Sequence, residues 1–260
     1  MTINPTDTVR ELAVAMPDAT RVFEKLGIDY CCGGNRTLED ACRVADIPVE
    51  EAVRSLEGAR LTGATEPPPT DWRQESLTAL ATHIVDEHHQ FTRHELSRLD
   101  RLLKKVCAVH GGNHPELLRL REIFERLNDE LTTHMLKEEQ VLFPWVAKME
   151  DAVNAGLPVP PPFFKTVRNP VRMMMSEHDL AGGMLVEMRL VTGDYNVPPD
   201  GCFSYHTLYQ ALAALEADLH EHIHLENNIL FPRAVELEGS AEPGRQSAAT
   251  GECEHHCFSH

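Results

Sequence analysis

A histidine and a glutamate four residues apart occur twice in this chain, each time followed by Leu-Phe-Pro at the same offset. The first copy runs His134-Met-Leu-Lys-Glu138-Glu-Gln-Val-Leu142-Phe143-Pro144, the second His222-Ile-His-Leu-Glu226-Asn-Asn-Ile-Leu230-Phe231-Pro232. On a helix, residues four apart share one face, one turn above the other. A neutral imidazole and a carboxylate so placed can hold the same metal ion or adjacent ions. The trailing proline has no N–H for the helical ladder, so each helix is predicted to stop or kink shortly after its ligand pair. Two copies with one exit signal point to a duplicated helical hairpin, each half supplying ligands.

The elements that must position these residues show in the apolar spacing. From about residue 73 to 236 apolar residues recur at steps of three and four, the signature of an up-down four-helix bundle. Helix 1 carries Val85, His89, Thr92, Leu96, Leu99, Leu103 and Val106, and ends at Gly111-Gly112-Asn113. Helix 2 carries Leu117, Leu120, Phe124, Leu127, Leu131, His134, Glu138 and Leu142. After a proline-rich loop, helix 3 presents Val171, Met174, His178, Ala181 and Leu185. Helix 4, after Pro198-Pro199-Asp200-Gly201, presents Leu208, Leu212, Leu215, Leu219, His222, Glu226 and Ile229.

Counting from the turns levels the histidines. His89 lies 23 residues before a turn near 112 and His134 lies 22 after it; His178 and His222 each lie 22 residues from a turn near 200. Four histidines, one per helix, therefore fall in one layer, joined by Glu138 and Glu226. Burying such a set without a metal would be costly. Imidazole and carboxylate suit iron or manganese, with zinc possible. Two bridging carboxylates and two histidines per ion suggest a di-iron centre. His110 shares the phase of His89 but lies 21 residues on, roughly 31 Å along a helix, so it belongs at the loop end. His88 competes with His89; the spacing of His178 to Leu185, matched by His89 to Leu96, favours His89. His83, His94 and His224 read as solvated or supporting residues. Glu130 and Glu177 read either as hydrogen-bond partners of the ligands or as solvated acids.

The rest of the chain divides around this bundle. Residues 1–62 read as short helices around Asp29-Tyr30-Cys31-Cys32-Gly33-Gly34, a turn exposing two adjacent thiols, with Thr37-Leu-Glu-Asp40 as a helix cap. Residues 63–72, with three consecutive prolines, form a linker; 73–237 are the bundle; 238–260 form a polar, disordered tail. Cys31 and Cys32 could carry iron or engage a thiol or nitrosyl partner, or merely pack. Cys42, Cys107 and Cys202 fall in helical patterns or at their ends and read as structural thiols. The tail's Cys253-Glu-His255-His256-Cys257-Phe-Ser-His260 offers soft ligands, though an end without a role is the plainer reading. A formal charge of −17 argues against nucleic acid and anionic membrane as partners. With no apolar run of membrane length and no basic-then-apolar start, the chain is expected in the cytoplasm, its seven cysteines as thiols.

The set His89, His134, Glu138, His178, His222 and Glu226 in a four-helix bundle resembles the hemerythrin-like fold. With the Cys31-Cys32 turn on a small N-terminal domain, the chain resembles the repair-of-iron-centres family of di-iron proteins. That resemblance implies an all-α, homodimeric, cytoplasmic protein with two iron ions in an oxo- and carboxylate-bridged centre. It also implies damaged iron–sulfur proteins as partners, restored after nitric oxide or peroxide stress by iron donation, with Cys31 and Cys32 in iron transfer. Oxygen-carrying hemerythrins are similar but have a further histidine one turn after the helix-3 ligand, where this chain has Gly182; the missing ligand leaves coordination open. The same centre also admits other readings: an oxygen or nitric oxide binder or sensor, or an oxidoreductase reducing nitric oxide or peroxide. A repair or iron-donating protein is preferred to a conventional enzyme.

Overall fold

The computed structural model describes residues 3–16, 18–62, 70–159 and 161–240. Among them there is no strand, only an isolated antiparallel bridge between Thr8 and Thr37, and the fold is all-α as the spacing predicts. The cysteine- and histidine-bearing tail and most of the predicted linker lie outside the described residues.

Four short helices form the N-terminal unit: α1 (Val9–Ala15), α2 (Ala19–Leu26), α3 (Leu38–Val44) and α4 (Val49–Thr62). Local chemistry sets their starts. Thr8 caps α1 in a reciprocal box with Glu11, and the Thr37 hydroxyl accepts from the Asp40 N–H at 3.2 Å. Gly27, at φ 65°, ends α2 in the left-handed conformation that a side chain would oppose. Val9, Leu12, Phe23, Ile28, Leu38 and Leu56 are buried together as this unit's own core.

The bundle consists of four long helical elements. The first is α5 (Leu77–His83), a π-helical stretch Ile84–His89, and α6 (Gln90–His110). The second is α7 (Glu116–Lys137), a π stretch Glu138–Leu142, and α8 (Phe143–Asn154). The third, α9 (Arg168–Thr192), is α-helical throughout. The fourth is α10 (Phe203–His224), a π stretch Leu225–Leu230, and α11 (Phe231–Ser240). Of the two expectations at the prolines, a stop or a kink, the stop does not occur: both elements stay helical, with a π stretch ahead of each proline. Pro144 and Pro232 fall at the second position of α8 and α11, where the missing N–H is one that a starting α segment leaves unbonded anyway. The wide π turn ahead of each proline absorbs the break, and the chain continues helical beyond it.

Two apolar cores fill the bundle. One packs Leu99, Leu103, Phe124, Leu127, Leu185 and Leu212 between the long α segments. The other packs Leu80, Ile84, Val146, Met174, Leu230 and Phe231 around the chain-terminal segments. Each fully buried Leu or Phe contributes about 1.5–3 kcal/mol. The buried polar layer lies between the two cores.

Candidate metal centre

All three π stretches fall at the candidate ligands. His89 closes the first, Glu138 opens the second and Glu226 is the second residue of the third. A π turn places one extra residue in the helix and so turns side chains on either side of it to different bearings, a device frequent at functional sites.

The six side chains named from the sequence meet in two overlapping sets: His89, Glu138, His222 and Glu226; and His134, Glu138, His178 and Glu226. Within each set the donor atoms lie within 4.8 Å of one another. His89 Nε2 lies 3.1 Å from His222 Nε2, and His178 Nε2 lies 3.0 Å from His134 Nε2. Each carboxylate divides itself between the sets. Glu138 Oε2 lies 3.4 Å from His89 and its Oε1 3.3 Å from His134. Glu226 Oε1 lies 3.1 Å from His222 and its Oε2 3.1 Å from His178. Both glutamates are 0 % exposed. His88 is also buried, but its Nδ1 pairs with Asp218 at 3.0 Å and its ring stacks on His222, outside both sets.

The outward nitrogens decide what the inward ones can do. His89 Nδ1 donates to Glu139 at 2.6 Å, His134 Nδ1 to Glu177 at 2.8 Å and His178 Nδ1 to Asn227 Oδ1 at 2.9 Å. Arg93 in turn pairs with Glu139, and Lys137 with Glu177. With the proton held on Nδ1, the Nε2 lone pairs point inward at one another. Both oxygens of Glu138 and of Glu226 are buried without a hydrogen-bond partner. Converging lone pairs and orphaned anionic oxygens are stable only around positive charge. The donor set therefore fits two cations sharing both carboxylates.

Without metal, protons supply part of that charge. Burial works against a charged His134, yet Glu138 and Glu226 outweigh it and push the imidazole up to about 9. His222 goes the other way, lowered by burial. Burial and Glu226 push Glu138 up, and the imidazoles of His134 and His89 overcome both, leaving it below the usual carboxylate value. Phe143 and Phe231, from the repeated Leu-Phe-Pro, stack on His89 and His178 with centroids 5.8 and 6.0 Å away. They close the layer against water.

Glu139 and Asn227 escaped the sequence reading, although each comes directly after a candidate ligand at the same place in its copy. A hydrogen-bond acceptor at that offset was the available signal. Glu177, open in the sequence between support and solvated acid, supports His134; Glu130 is exposed. His83 stacks on Trp72 and His94 is exposed beside Glu95. His224 is not solvated but buried, bonded to Asn228 and edge-on to Tyr30.

The paired cysteines are not on an exposed turn. Cys31 is 6 % exposed and Cys32 half-buried, because the turn docks on the third π stretch. Asn227 Nδ2 donates to the Cys31 carbonyl at 3.1 Å and Asn228 Nδ2 to the Tyr30 carbonyl at 2.9 Å. Cys32 Sγ lies 3.8 Å from the His178 carbonyl, and a Cβ on Gly182 would stand 3.7 Å from that sulfur. The turn thus uses the space that the missing side chain at 182 leaves. Asp29, Cys31 and Cys32 bring three further donor atoms within 4.8 Å of one another. The Cys32 thiol and burial push the Cys31 thiol well up.

Residues 80–234 match the hemerythrin HHE cation binding domain, over more than half the chain. The chain belongs to the hemerythrin HHE family. Residues 5–60 match a second domain, described only as a domain of unknown function (DUF542). Along most of its length this hemerythrin HHE protein is similar to the iron-sulfur cluster repair protein YtfE of Escherichia coli O17:K52:H18 (strain UMN026). Identity is 36% over 225 residues, covering 86% of this chain and 94% of the relative. The protein of the same name from Shigella boydii serotype 4 (strain Sb227) matches with the same identity and coverage. This hemerythrin HHE protein is a di-iron protein, with two overlapping donor sets for its two ions.

Proposed function

We propose that the protein repairs iron–sulfur clusters damaged by nitrosative or oxidative stress, acting in the cytoplasm on damaged iron–sulfur proteins. His89, His134, His178, His222, Glu138 and Glu226 hold its two iron ions, and Cys31 and Cys32 take iron from them. The observation that carries this reading is the docking of Cys32, beside Cys31, against the backbone carbonyl of His178, one histidine of the centre. The likeness to proteins named for cluster repair supports it. Among the described residues no helix is long and apolar enough to cross a membrane.

When bound, the two irons supply a redox-active centre with coordination positions that the protein leaves open. The chain's own residues do the rest. Glu139, Glu177 and Asn227 hold three imidazoles in the tautomer that offers Nε2 inward. Phe143 and Phe231 keep the layer dry. Asp29, Cys31 and Cys32 offer a carboxylate and two thiols as the next stop for departing iron, and binding a cation there releases the Cys31 proton that the Cys32 thiol and burial otherwise retain. A gas-binding or gas-reducing protein would need the same buried layer but has no use for thiols docked beside it.

The deciding experiment is anaerobic recovery of a nitric-oxide-inactivated [4Fe–4S] dehydratase. Iron-loaded protein restores activity; Glu138→Leu, Glu226→Leu does not; Cys31→Ser, Cys32→Ser keeps its iron but restores activity slowly. Absence of recovery with fully loaded protein would overturn the repair reading, and consumption of nitric oxide with a supplied reductant would replace it.

A further inference from the structure

The opposite end of the bundle carries a second group of chemistry-bearing side chains. α6 ends at His110, and α10 begins directly after Cys202. His110 Nε2 lies 3.2 Å from Cys202 Sγ, and Cys202 is exposed. Cys202 is the N-cap of a 22-residue helix, and the Ser204 and Tyr205 N–H groups at its start favour a negative sulfur. The other groups facing the sulfur come from the α6–α7 turn and the start of α10. His114 stands beside His110 with ring centroids 6.3 Å apart, held between Glu116 at 2.9 Å and Asp200 at 3.1 Å. Both acids are thus engaged by His114. The buried Tyr205 ring lies 5.3 Å from the His110 ring and braces it.

This arrangement differs from the structural thiol that the sequence suggests at Cys202. A structural thiol is buried and inert; a reactive one is accessible, beside an imidazole and near a helix start. We propose that Cys202 and His110 form a nucleophilic thiol site that takes small-molecule disulfides into a mixed disulfide, at the end of the bundle remote from the metal layer. His110 takes the thiol proton, and the thiolate attacks one sulfur of the disulfide. A new S–S bond to Cys202 forms as the old one breaks, and its electron pair leaves on the released thiolate, which recovers the proton from His110. Cys202 is oxidised, the released half is reduced, and the disulfide is the only oxidant needed.

The His110 contact and the helix-start N–H groups draw the Cys202 thiol down to about 7. At pH 7 about half of it is thiolate, against about 3 % for an ordinary thiol. The lower basicity costs about 5-fold in intrinsic nucleophilicity, so the net gain at pH 7 is about 3-fold. The pH profile is therefore the sharper readout.

The test uses the full iron-loaded chain, with every cysteine monitored separately by peptide mass mapping. Iodoacetamide alkylation of Cys202 is expected to have its pH midpoint near 7, and His110→Asn to move it up by at least one unit with iron content unchanged. Glutathione disulfide at pH 7 is expected to leave one glutathione on Cys202, removable by dithiothreitol, and less on His110→Asn. If that variant does not fold, Cys202 of the urea-unfolded wild type serves as the unpaired reference. An alkylation midpoint equal to the reference, or the absence of a glutathione adduct on Cys202, overturns the proposal.

Discussion

The two copies of the eleven-residue stretch, His134–Pro144 and His222–Pro232, share their metal donors and differ in the residues next to them. After Glu138 come Glu139 and Gln140; Glu139 supports His89 and pairs with Arg93 near the surface, and Gln140 is exposed. After Glu226 come Asn227 and Asn228, both buried and both bonded to the cysteine turn. The imidazoles inherit the difference. His89 and His134 donate to carboxylates, His178 donates to a neutral amide, and His222 Nδ1 has no hydrogen-bond partner among the described residues, with His88 stacked on its ring face. The two copies carry the same donor types at the same spacing and different neighbours. One copy now faces solvent, and the other receives the N-terminal unit. Among the described residues, the Cys32 thiol contacts the His134–His178 half of the centre, so under the transfer proposed above iron would leave from that half.

That asymmetry can be broken at several points. The largest effect is expected from Glu138→Leu with Glu226→Leu, which removes both shared carboxylates. Iron should fall from two ions per chain to nearly none; retention of a full complement by metal analysis would refute the shared-carboxylate geometry. Next is Asn227→Ala, which takes the acceptor from His178 and the donor from Cys31 together. Loss of such a supporting bond costs about 10–100-fold in metal affinity. Chelator competition should show that loss in one of two irons, with faster alkylation of Cys31 and Cys32. Glu139→Ala should weaken the other iron by a similar factor and leave the cysteines as they were. Identical cysteine behaviour in the two variants would erase the difference between the copies.

The stability of the metal-free protein should depend on pH with opposite signs at its two ends. His134 is raised to about 9 when folded, so its contribution is complete below its ordinary value near 6.5 and disappears as pH rises through 9. Burial pushes Glu177 up, but Lys137 and His134 hold it below its ordinary value, so its contribution is present above about 4.3 and is lost as pH falls through the folded value. Urea midpoints of the metal-free protein should be lower at about pH 9.5 than at 6.5, and the iron-loaded protein should not show that alkaline loss. Equal midpoints in the metal-free protein would remove His134 as the cause. The smallest effect is expected at Gly182. Gly182→Val crowds Cys32 Sγ, already 3.7 Å from where a Cβ would stand. Alkylation of Cys32 should rise a few-fold with the iron retained, and an unchanged rate would mean that the turn does not rest there.

The helices and the level at which their histidines meet are legible in the chain because helical rise and periodicity are fixed. His89, His134, His178 and His222 can be levelled by counting, and Thr37 announces its cap by residue type alone. The π turns are not legible. Nothing in Ile84–His89 or Leu225–Leu230 marks an added residue, since the gain comes from packing across the bundle. The burial of His224 and of Cys31 is equally hidden, because it depends on a unit some two hundred residues away in the chain docking on Asn227 and Asn228. The roles of Glu139 and Asn227 lie between these cases: position points to them, and chemistry needs the facing imidazole.

Three of the four long elements change helical phase at the buried layer, and α9 alone runs through unbroken. The polar layer therefore works as a gearbox between two apolar cores whose stripes are cut to different bearings. Deleting one residue from a π turn, such as the exposed Gln140, would close it to an α turn and leave everything beyond at its bearing; deleting one from the unbroken α9, such as the exposed Leu180, would turn everything beyond by about 100°. In α9, Met184 and Leu185 would swing out of one core while Val171 and Met174 stayed in the other. A change one residue long is thus taken up in three elements and would strip the gears in the fourth.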